Sequence, residues 1–209
     1  TDNSPKRLLD NEGYRMLKRA FDILFSLCFL CLVFPFVLLT VFVLTECTMP
    51  GKLFFVQKRT GLNGKTFNCY KFRTMRQNAQ SDVLQATKGD ERVTRWGYIM
   101  RKTSLDETPQ FINVLLGDMS IVGPRPHMLK HTDEFMEMVD GYMLRHQVKP
   151  GVTGWSQVNG YRGEIRKVED IQNRVKFDLW YIDNWSFFLD IRIILKTMAL
   201  CFGNDRHAL

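Results

Sequence analysis

Two carboxylates stand side by side at Asp106 and Glu107, within the segment TSLDETPQFINVLLGDMSIVGPRP that covers residues 103–126. Adjacent acids near a helix start ordinarily serve as cap and dipole partners. Three other acidic pairs, Asp90-Glu91, Asp133-Glu134 and Glu169-Asp170, occupy plain surroundings. The pair at 106–107 differs in the cations around it. Arg101 and Lys102 come just before it, and Arg125 follows between Pro124 and Pro126. Lys71 and Arg73 sit together upstream in YKFRTM. Two prolines restrict the backbone around an arginine, which helps aim a planar fork able to grip a phosphate with two parallel bonds. Carboxylates among several cations form a donor set suited to phosphoryl transfer. One acid can hold Mg²⁺ beside substrate phosphates, the other can attack phosphorus, and the cations neutralise the charge in transit.

These side chains need elements to hold them. Residues 53–76 read as a β-hairpin, LFFVQ and TFNCYKF flanking LNGK, whose Asn63-Gly64 pair is a strong turn signal. Gly64-Lys65-Thr66 is not a phosphate-binding loop, because Arg59 stands where that motif requires its first glycine. The polar stretch 77–95 reads as a loop. A helix is expected over 107–116, capped by Ser104 or Asp106, with Pro109 in its first turn and Gly117 at its stop. A further helix is expected over 127–145; His127 and His131 are four apart there, and without a third ligand nearby they read as a solvated face. The glycine-rich VKPGVTGWSQVNGYRG, 148–163, reads as a long functional loop. Helices over 168–182 and 186–202 follow, with Trp180, Tyr181 and Trp185 between their apolar faces. The two suit a membrane interface or a buried core equally well.

The amino-terminal quarter is different. Between Asp22 and Glu46 lie 23 residues without a charge, ILFSLCFLCLVFPFVLLTVFVLT. A straight helix of that length measures about 35 Å, against roughly 30 Å for a bilayer core. No small-residue cleavage pattern follows, which argues against a signal peptide. Pro35 interrupts the run and removes a backbone hydrogen bond. Both flanks are basic, with Arg15, Lys18 and Arg19 before and Lys52, Lys58 and Arg59 after, so both ends favour the cytoplasmic face. A helix bent at Pro35 that enters and leaves by one face meets both conditions; a straight span remains the alternative. The chain divides into a basic, amphipathic lead-in at 1–22, the membrane segment at 23–45 and a catalytic region at 46–209.

The net charge of +7 is unevenly placed. Residues 51–102 carry twelve basic and three acidic side chains, directly after the apolar run. That location suits an anionic membrane surface or a phosphorylated substrate. No nucleic-acid partner is expected, since no helix-turn-helix or RNA-binding signature is visible. Cys28 and Cys31 form a C-x-x-C inside the apolar run, and the other three cysteines are scattered, so no disulfide framework or zinc site is expected.

Taken in order, KRAFDILFSL, the proline-broken run, FVQKRTG, YKFRTM, TSLDETPQFINVLLGDMSIVGPRP, KPGVTGWSQVNG and FDLWYIDNWSFFLDIRIILKT resemble the bacterial sugar transferase family, over roughly residues 16–203. These are monotopic polyprenyl-phosphate phosphoglycosyltransferases. The resemblance implies transfer of a sugar-1-phosphate from a UDP-sugar to undecaprenyl phosphate, with release of UMP, at the start of capsule, O-antigen, exopolysaccharide or glycoprotein glycan assembly. It implies Asp106 as the nucleophile that carries the phosphosugar and Glu107 as a Mg²⁺ ligand, with Asp106 close to the same ion. Lys71, Arg101 and Arg125 fall on its phosphate-binding positions, Arg73 beside Lys71 is a further candidate donor from its place in YKFRTM, and Asp190 and Asp178 are further candidate acids. The fold implied is α+β: a mainly helical monotopic membrane protein with a re-entrant membrane helix, a small β-hairpin and interfacial amphipathic helices. The location implied is the bacterial inner membrane, with the catalytic region on the cytoplasmic face. A homo-oligomer and an additional upstream membrane domain are both compatible with the resemblance. Phe34 stands where the family commonly has serine before the proline, Thr108 replaces a leucine and Ser156 an alanine.

Overall fold

The computed structural model describes residues 7–76, 90–163, 165 and 167–202. Helix α1 (Glu12–Leu32) and helix α2 (Phe34–Thr48) share the apolar run and meet at Val33 with a bend of 52°. Pro35 lies in the first turn of α2 and has no N–H to continue the ladder of α1. Neither helix is by itself long and apolar enough to cross a membrane, although the bent pair together passes on length and composition. The straight span is therefore not what forms. Helix α1 also runs unbroken through residue 22, so the lead-in and the membrane segment share one rod.

Three charged side chains on α1 fasten that rod to the rest of the molecule. Lys18 Nζ donates to Asp190 at 2.6 Å. Arg19 donates to the carbonyls of Val114 and Leu115, at 2.6 and 2.9 Å. Asp22 accepts from Ser120 Oγ and from the Ile121 amide, each at 3.0 Å. Beyond these contacts the surface turns apolar, with Leu24, Leu32, Phe36 and Leu39 exposed.

The hairpin forms as its sequence requires. Strands β1 (Phe54–Thr60) and β2 (Thr66–Phe72) pair antiparallel, and Asn63 and Gly64 both take positive φ in the turn. Of the polar stretch 77–95, residues 77–89 lie outside the described residues. Its end opens helix α3 (Arg95–Thr103), where Thr94 Oγ accepts from the Gly97 amide at 3.0 Å. The sequence did not suggest this helix, because RWGYIMRKT is short, polar on average and continues a stretch that reads as a loop.

Helix α4 (Gln110–Leu116) begins three residues later than its sequence suggests. A 3₁₀ turn at Leu105–Glu107 precedes it, and neither Ser104 nor Asp106 supplies a side-chain cap. Gly117, at φ 96°, ends the helix as expected. Strand β3 (Ser120–Val122) then pairs in parallel with β4 (Gly151–Thr153), so the segment 148–163 contributes a strand as well as a loop. Helix α5 (Leu129–Met138) is shorter than the expected 127–145, and the remainder becomes a 3₁₀ stretch at Tyr142–Gln147. Helix α6 (Trp155–Val158) is a single turn, followed by α7 (Val168–Asp183) and α8 (Phe187–Phe202). The molecule is mostly helical, with a small antiparallel sheet and a short parallel pair.

The main core gathers Val114, Met119, Ile121 and Val122 against Tyr181, Ile182, Trp185, Leu189 and Ile193. Tyr181 and Trp185 are thus core residues, while Trp180 is half-exposed and stacks on Trp155 at 5.1 Å. The opposite side of α8 exposes Phe188 and Leu195. The glycines of SIVGPRP and KPGVTG are explained by close approach of β3 to β4. A Cβ on Gly151 would lie 2.1 Å from the Gly123 amide nitrogen. Gly151→Ala is therefore expected to destabilise the fold by about 2 kcal/mol or more, measured as a fall in urea midpoint without change in slope.

Candidate active site

The acidic pair sits where four segments meet. Ser104, in the left-handed region at φ 60°, turns the chain sharply out of α3 into the 3₁₀ turn that carries Asp106 and Glu107. Both carboxylates are buried, at 8% and 5% exposure. Asn113 of α4 fixes the neighbouring strand: its Oδ1 accepts from the Tyr70 amide at 3.0 Å and its Nδ2 donates to the Asn68 carbonyl at 2.7 Å. The next outward residue of that strand is Lys71, and its Nζ reaches Glu107 Oε1 at 2.7 Å.

The arginine between the prolines comes from the other side. Arg125 donates to Glu107 Oε1 at 2.8 Å and Oε2 at 3.2 Å, and to Gln157 Oε1 at 3.0 Å. Its backbone is clamped by Gly123 N to Thr153 O and by Gly151 N to Pro124 O, each at 2.9 Å. The Pro126 carbonyl accepts from Arg59 Nη1 at 3.0 Å. A third cation is Arg162, whose Nη2 donates to Ser104 Oγ at 2.7 Å and lies 3.8 Å from Glu107 Oε2. Arg101 completes the ring, held by its Nε bond to Thr74 Oγ1 at 2.8 Å and acting electrostatically on Asp106.

This arrangement drives the two acids apart in their protonation. Burial works to raise the Glu107 pKa, but Arg125, Lys71 and Arg162 outweigh it and hold the carboxyl well below the ordinary range. Asp106 is pushed up, by burial first and by the charge of Glu107 second; Lys71, Arg101 and Arg162 offset only part of that. Among the described residues no side chain or amide donates a hydrogen bond to the Asp106 carboxylate. Glu107 is a fixed counter-ion in this state, and Asp106 is the acid left open.

The other candidates from the sequence lie elsewhere. Arg73 points away from the pair and donates to the Met49 and Lys52 carbonyls, fastening the end of α2. Asp190 is a buried structural acid, bonded to Lys18 at 2.6 Å, Tyr181 Oη at 2.7 Å and Trp185 Nε1 at 3.0 Å. Asp178 stands one layer behind the site, where its Oδ2 accepts from Arg145 Nε and Nη2 at 2.9 and 2.7 Å, and its Oδ1 from Ser156 at 2.7 Å. Pro35 is at the helix break and far in sequence from the acids. His127 does not lie on a solvated face but is buried at 4% exposure.

Sequence reading passed over Arg162 and Gln157. The signal was the glycine-rich segment that carries both, but nothing local says which of its side chains turns inward. Gln157 Nε2 is buried without a hydrogen-bond partner among the described residues, so it is a donor in reserve beside Arg125. No group of three or more His, Cys, Asp or Glu side chains that could hold a metal occurs among the described residues. Two carboxylates alone still fit Mg²⁺, which takes one or two protein oxygens and fills its remaining positions with water and phosphate.

Fold and site together define a mostly helical domain with a bent apolar helix pair and a buried acidic pair inside a ring of cations. The chain belongs to the bacterial sugar transferase family, whose model matches residues 13–204. It is 48% identical over 191 residues to the UDP-glucose:undecaprenyl-phosphate glucose-1-phosphate transferase of Escherichia coli K12, covering 91% of this chain and 41% of that protein. It is 41% identical over 199 residues to the UDP-N-acetylgalactosamine-undecaprenyl-phosphate N-acetylgalactosaminephosphotransferase of Aeromonas hydrophila, covering 94% and 46%. It is 44% identical over 189 residues to the exopolysaccharide production protein PSS of Rhizobium leguminosarum, covering 88% and 94%. The chain therefore spans about two fifths of the length of the first of these relatives and nearly all of the last.

The opposite shifts of the two acids give them opposite effects on stability. Glu107 is depressed, so its contribution is fully present above its unfolded pKa of about 4.3 and is lost as pH falls through the lower folded value. Asp106 is raised, so its ionisation is a cost that develops as pH rises above its unfolded value of about 3.9 towards the folded one. Urea unfolding at pH 7 should therefore show Glu107→Gln less stable than the parent protein and Asp106→Asn more stable, with both differences shrinking towards pH 3.

Proposed function

We propose that this chain transfers a sugar-1-phosphate from a UDP-sugar to undecaprenyl phosphate. The observation that carries the reading is the division of labour in the acidic pair. Glu107 is claimed by cations, while the adjacent Asp106 is open and lies among Lys71, Arg101, Arg125 and Arg162. Four cations against two carboxylates leave a positive excess in a site built for a diphosphate.

In this mechanism an Asp106 carboxylate oxygen attacks the β-phosphorus of the nucleotide sugar. The bond from that phosphorus to the bridging oxygen breaks, and UMP departs with the electron pair. The phosphosugar remains on Asp106 as an acyl phosphate. A phosphate oxygen of the lipid then attacks the same phosphorus, forming the polyprenyl-diphospho-sugar and releasing the carboxylate. Arg125 and Lys71, held by Glu107, and Arg101 and Arg162 grip the phosphate oxygens as charge moves from one side of phosphorus to the other. Mg²⁺, bound through Asp106 and Glu107 with substrate phosphates, would add Lewis-acid neutralisation of the leaving UMP.

The bent pair α1–α2 supports a re-entrant membrane helix with both basic flanks on the cytoplasmic face of the bacterial inner membrane. Phe188 and Leu195 on α8 add an apolar side suited to the membrane interface. This geometry would keep the site at the headgroup level, where a lipid phosphate and a soluble nucleotide meet. UDP-glucose is the first donor to consider, because the relatives of Escherichia coli, Klebsiella pneumoniae and Xanthomonas campestris carry it in their names. The name of the Rhizobium relative, an exopolysaccharide production protein, supports exopolysaccharide assembly as the destination of the product.

The test is UMP release by the purified protein with undecaprenyl phosphate, Mg²⁺ and a panel of UDP-sugars led by UDP-glucose. Multiple-turnover release that needs both lipid and Mg²⁺, with no more than one equivalent of UMP per protein in the absence of lipid, and that falls at least about 1,000-fold in Asp106→Asn, is the expected result. Equal turnover in the Asp106→Asn protein would remove Asp106 from the mechanism.

A further inference from the structure

Beneath the acidic pair lies a second layer in which cations outnumber acids. Arg145 and Asp178, each 1% exposed, form one ion pair. Arg174, 5% exposed, has no carboxylate partner among the described residues. Its Nη2 donates to the Gly163 carbonyl at 2.7 Å and its Nε is buried without a partner. Burial, then the charges of Arg125 and Arg145, bring its pKa down to about 10, with Asp178 offsetting only part of the shift.

His127 stands between these two arginines. Its Nδ1 lies 2.6 Å from Tyr142 Oη and 3.2 Å from Arg145 Nη1, and its Nε2 lies 3.2 Å from Arg174 Nη1. Phe135 packs edge-on against the ring at 5.3 Å. An arginine can only donate, and a neutral imidazole offers one acceptor nitrogen. Arg145 already has the Asp178 carboxylate and the Arg125 carbonyl. Arg174 has a single carbonyl. The acceptor therefore belongs at Nε2, facing Arg174, and the proton at Nδ1, donated to Tyr142 Oη; Arg145 Nη1, 3.2 Å from the same nitrogen, then makes no hydrogen bond to the ring and relies on Asp178 and the Arg125 carbonyl. Burial and then Arg145 and Arg174 suppress the imidazolium.

The two arginines lead back to the site by separate routes. Arg145 Nη2 donates to the backbone carbonyl of Arg125 at 2.7 Å. Arg174 holds the carbonyl of Gly163, the residue that follows Arg162. Arg125 and Arg162 are the cations that reach Glu107 from the strap and from the glycine-rich segment. We propose that His127, as the neutral Nδ1–H tautomer between Arg145 and Arg174, is a positioning residue that sets the Arg125 and Arg162 guanidiniums in register for the diphosphate of the nucleotide sugar. This role rests on the transferase reading above. It does not require His127 to touch substrate.

Two measurements test it together. In protein with ¹⁵N-labelled histidine, long-range ¹H–¹⁵N correlation at pH 7 should show His127 neutral, with Nδ1 protonated and Nε2 bare. An imidazolium or an Nε2–H tautomer would overturn the assignment whether or not the protein is active. In the UMP-release assay, His127→Phe keeps a flat ring but removes the acceptor, and kcat/KM for the UDP-sugar should fall about 10- to 100-fold. His127→Gln, which can place an amide oxygen towards Arg174, should recover most of that loss, with all three proteins melting within a few degrees of one another. Unchanged kcat/KM in His127→Phe, or a loss that tracks melting temperature and is not recovered by Gln, would sink the positioning role. Silence of the unsubstituted protein with every donor would instead count against the transferase reading, and the nitrogen spectrum would still decide the tautomer.

Discussion

A carboxylate at 5% exposure cannot remain ionised without close cations, and the site is organised around that requirement at Glu107. Each of its three partners comes from a different part of the chain: Lys71 from the hairpin, Arg125 from the proline strap and Arg162 from the glycine-rich segment. Because one side chain must meet all three, the relative placement of hairpin, strap and loop is fixed to within hydrogen-bond tolerance. Asp106, one residue earlier, inherits the field without sharing the bonds. A fixed counter-ion beside an open acid lets one short turn supply positioning and, in the proposed mechanism, the reactive group.

The layers behind the site repeat the same logic with fewer exposed groups. Asp178 neutralises Arg145, and Arg145 holds the Arg125 backbone. Further out, Lys18, Arg19 and Asp22 fasten α1 to α8, α4 and β3. Arg73 does the same for the end of α2. Charged residues near the bent helix pair thus fasten it to the rest of the molecule, and the bend at Pro35 is connected to the acids through them. The apolar surface of α1 and α2 and the positive excess of the site are parts of one scaffold.

Much of this was legible in the sequence, for reasons that can be named. The hairpin was visible because Asn63-Gly64 accepts the positive φ that a tight turn needs, and flanking β-branched and aromatic residues fit a pleated strand. The break at Pro35 was visible because a missing N–H is a covalent fact. The acidic pair and the Pro-Arg-Pro strap stood out by type and spacing alone, and the order of the motifs indicated the family that the comparison established. Helix α4 was found but started too early, since a 3₁₀ turn and a first helical turn share the same residue preferences.

What the sequence by itself determined was the set of covalent and local preferences: where the chain must turn, bend or stay apolar, and which residues carry charge. The tertiary structure alone decided which charges meet. Arg73 and Lys71 are two residues apart, yet one fastens a helix end and the other grips Glu107. Arg162 is 55 positions from Glu107 and lies against it, while Asp190, equally acidic, is enclosed by Lys18, Tyr181 and Trp185. His127 was read as solvated and is buried between two arginines. Local propensity depends on neighbours in the chain, whereas the worth of a charge depends on its burial and on partners brought from far away, and only the packed fold sets those.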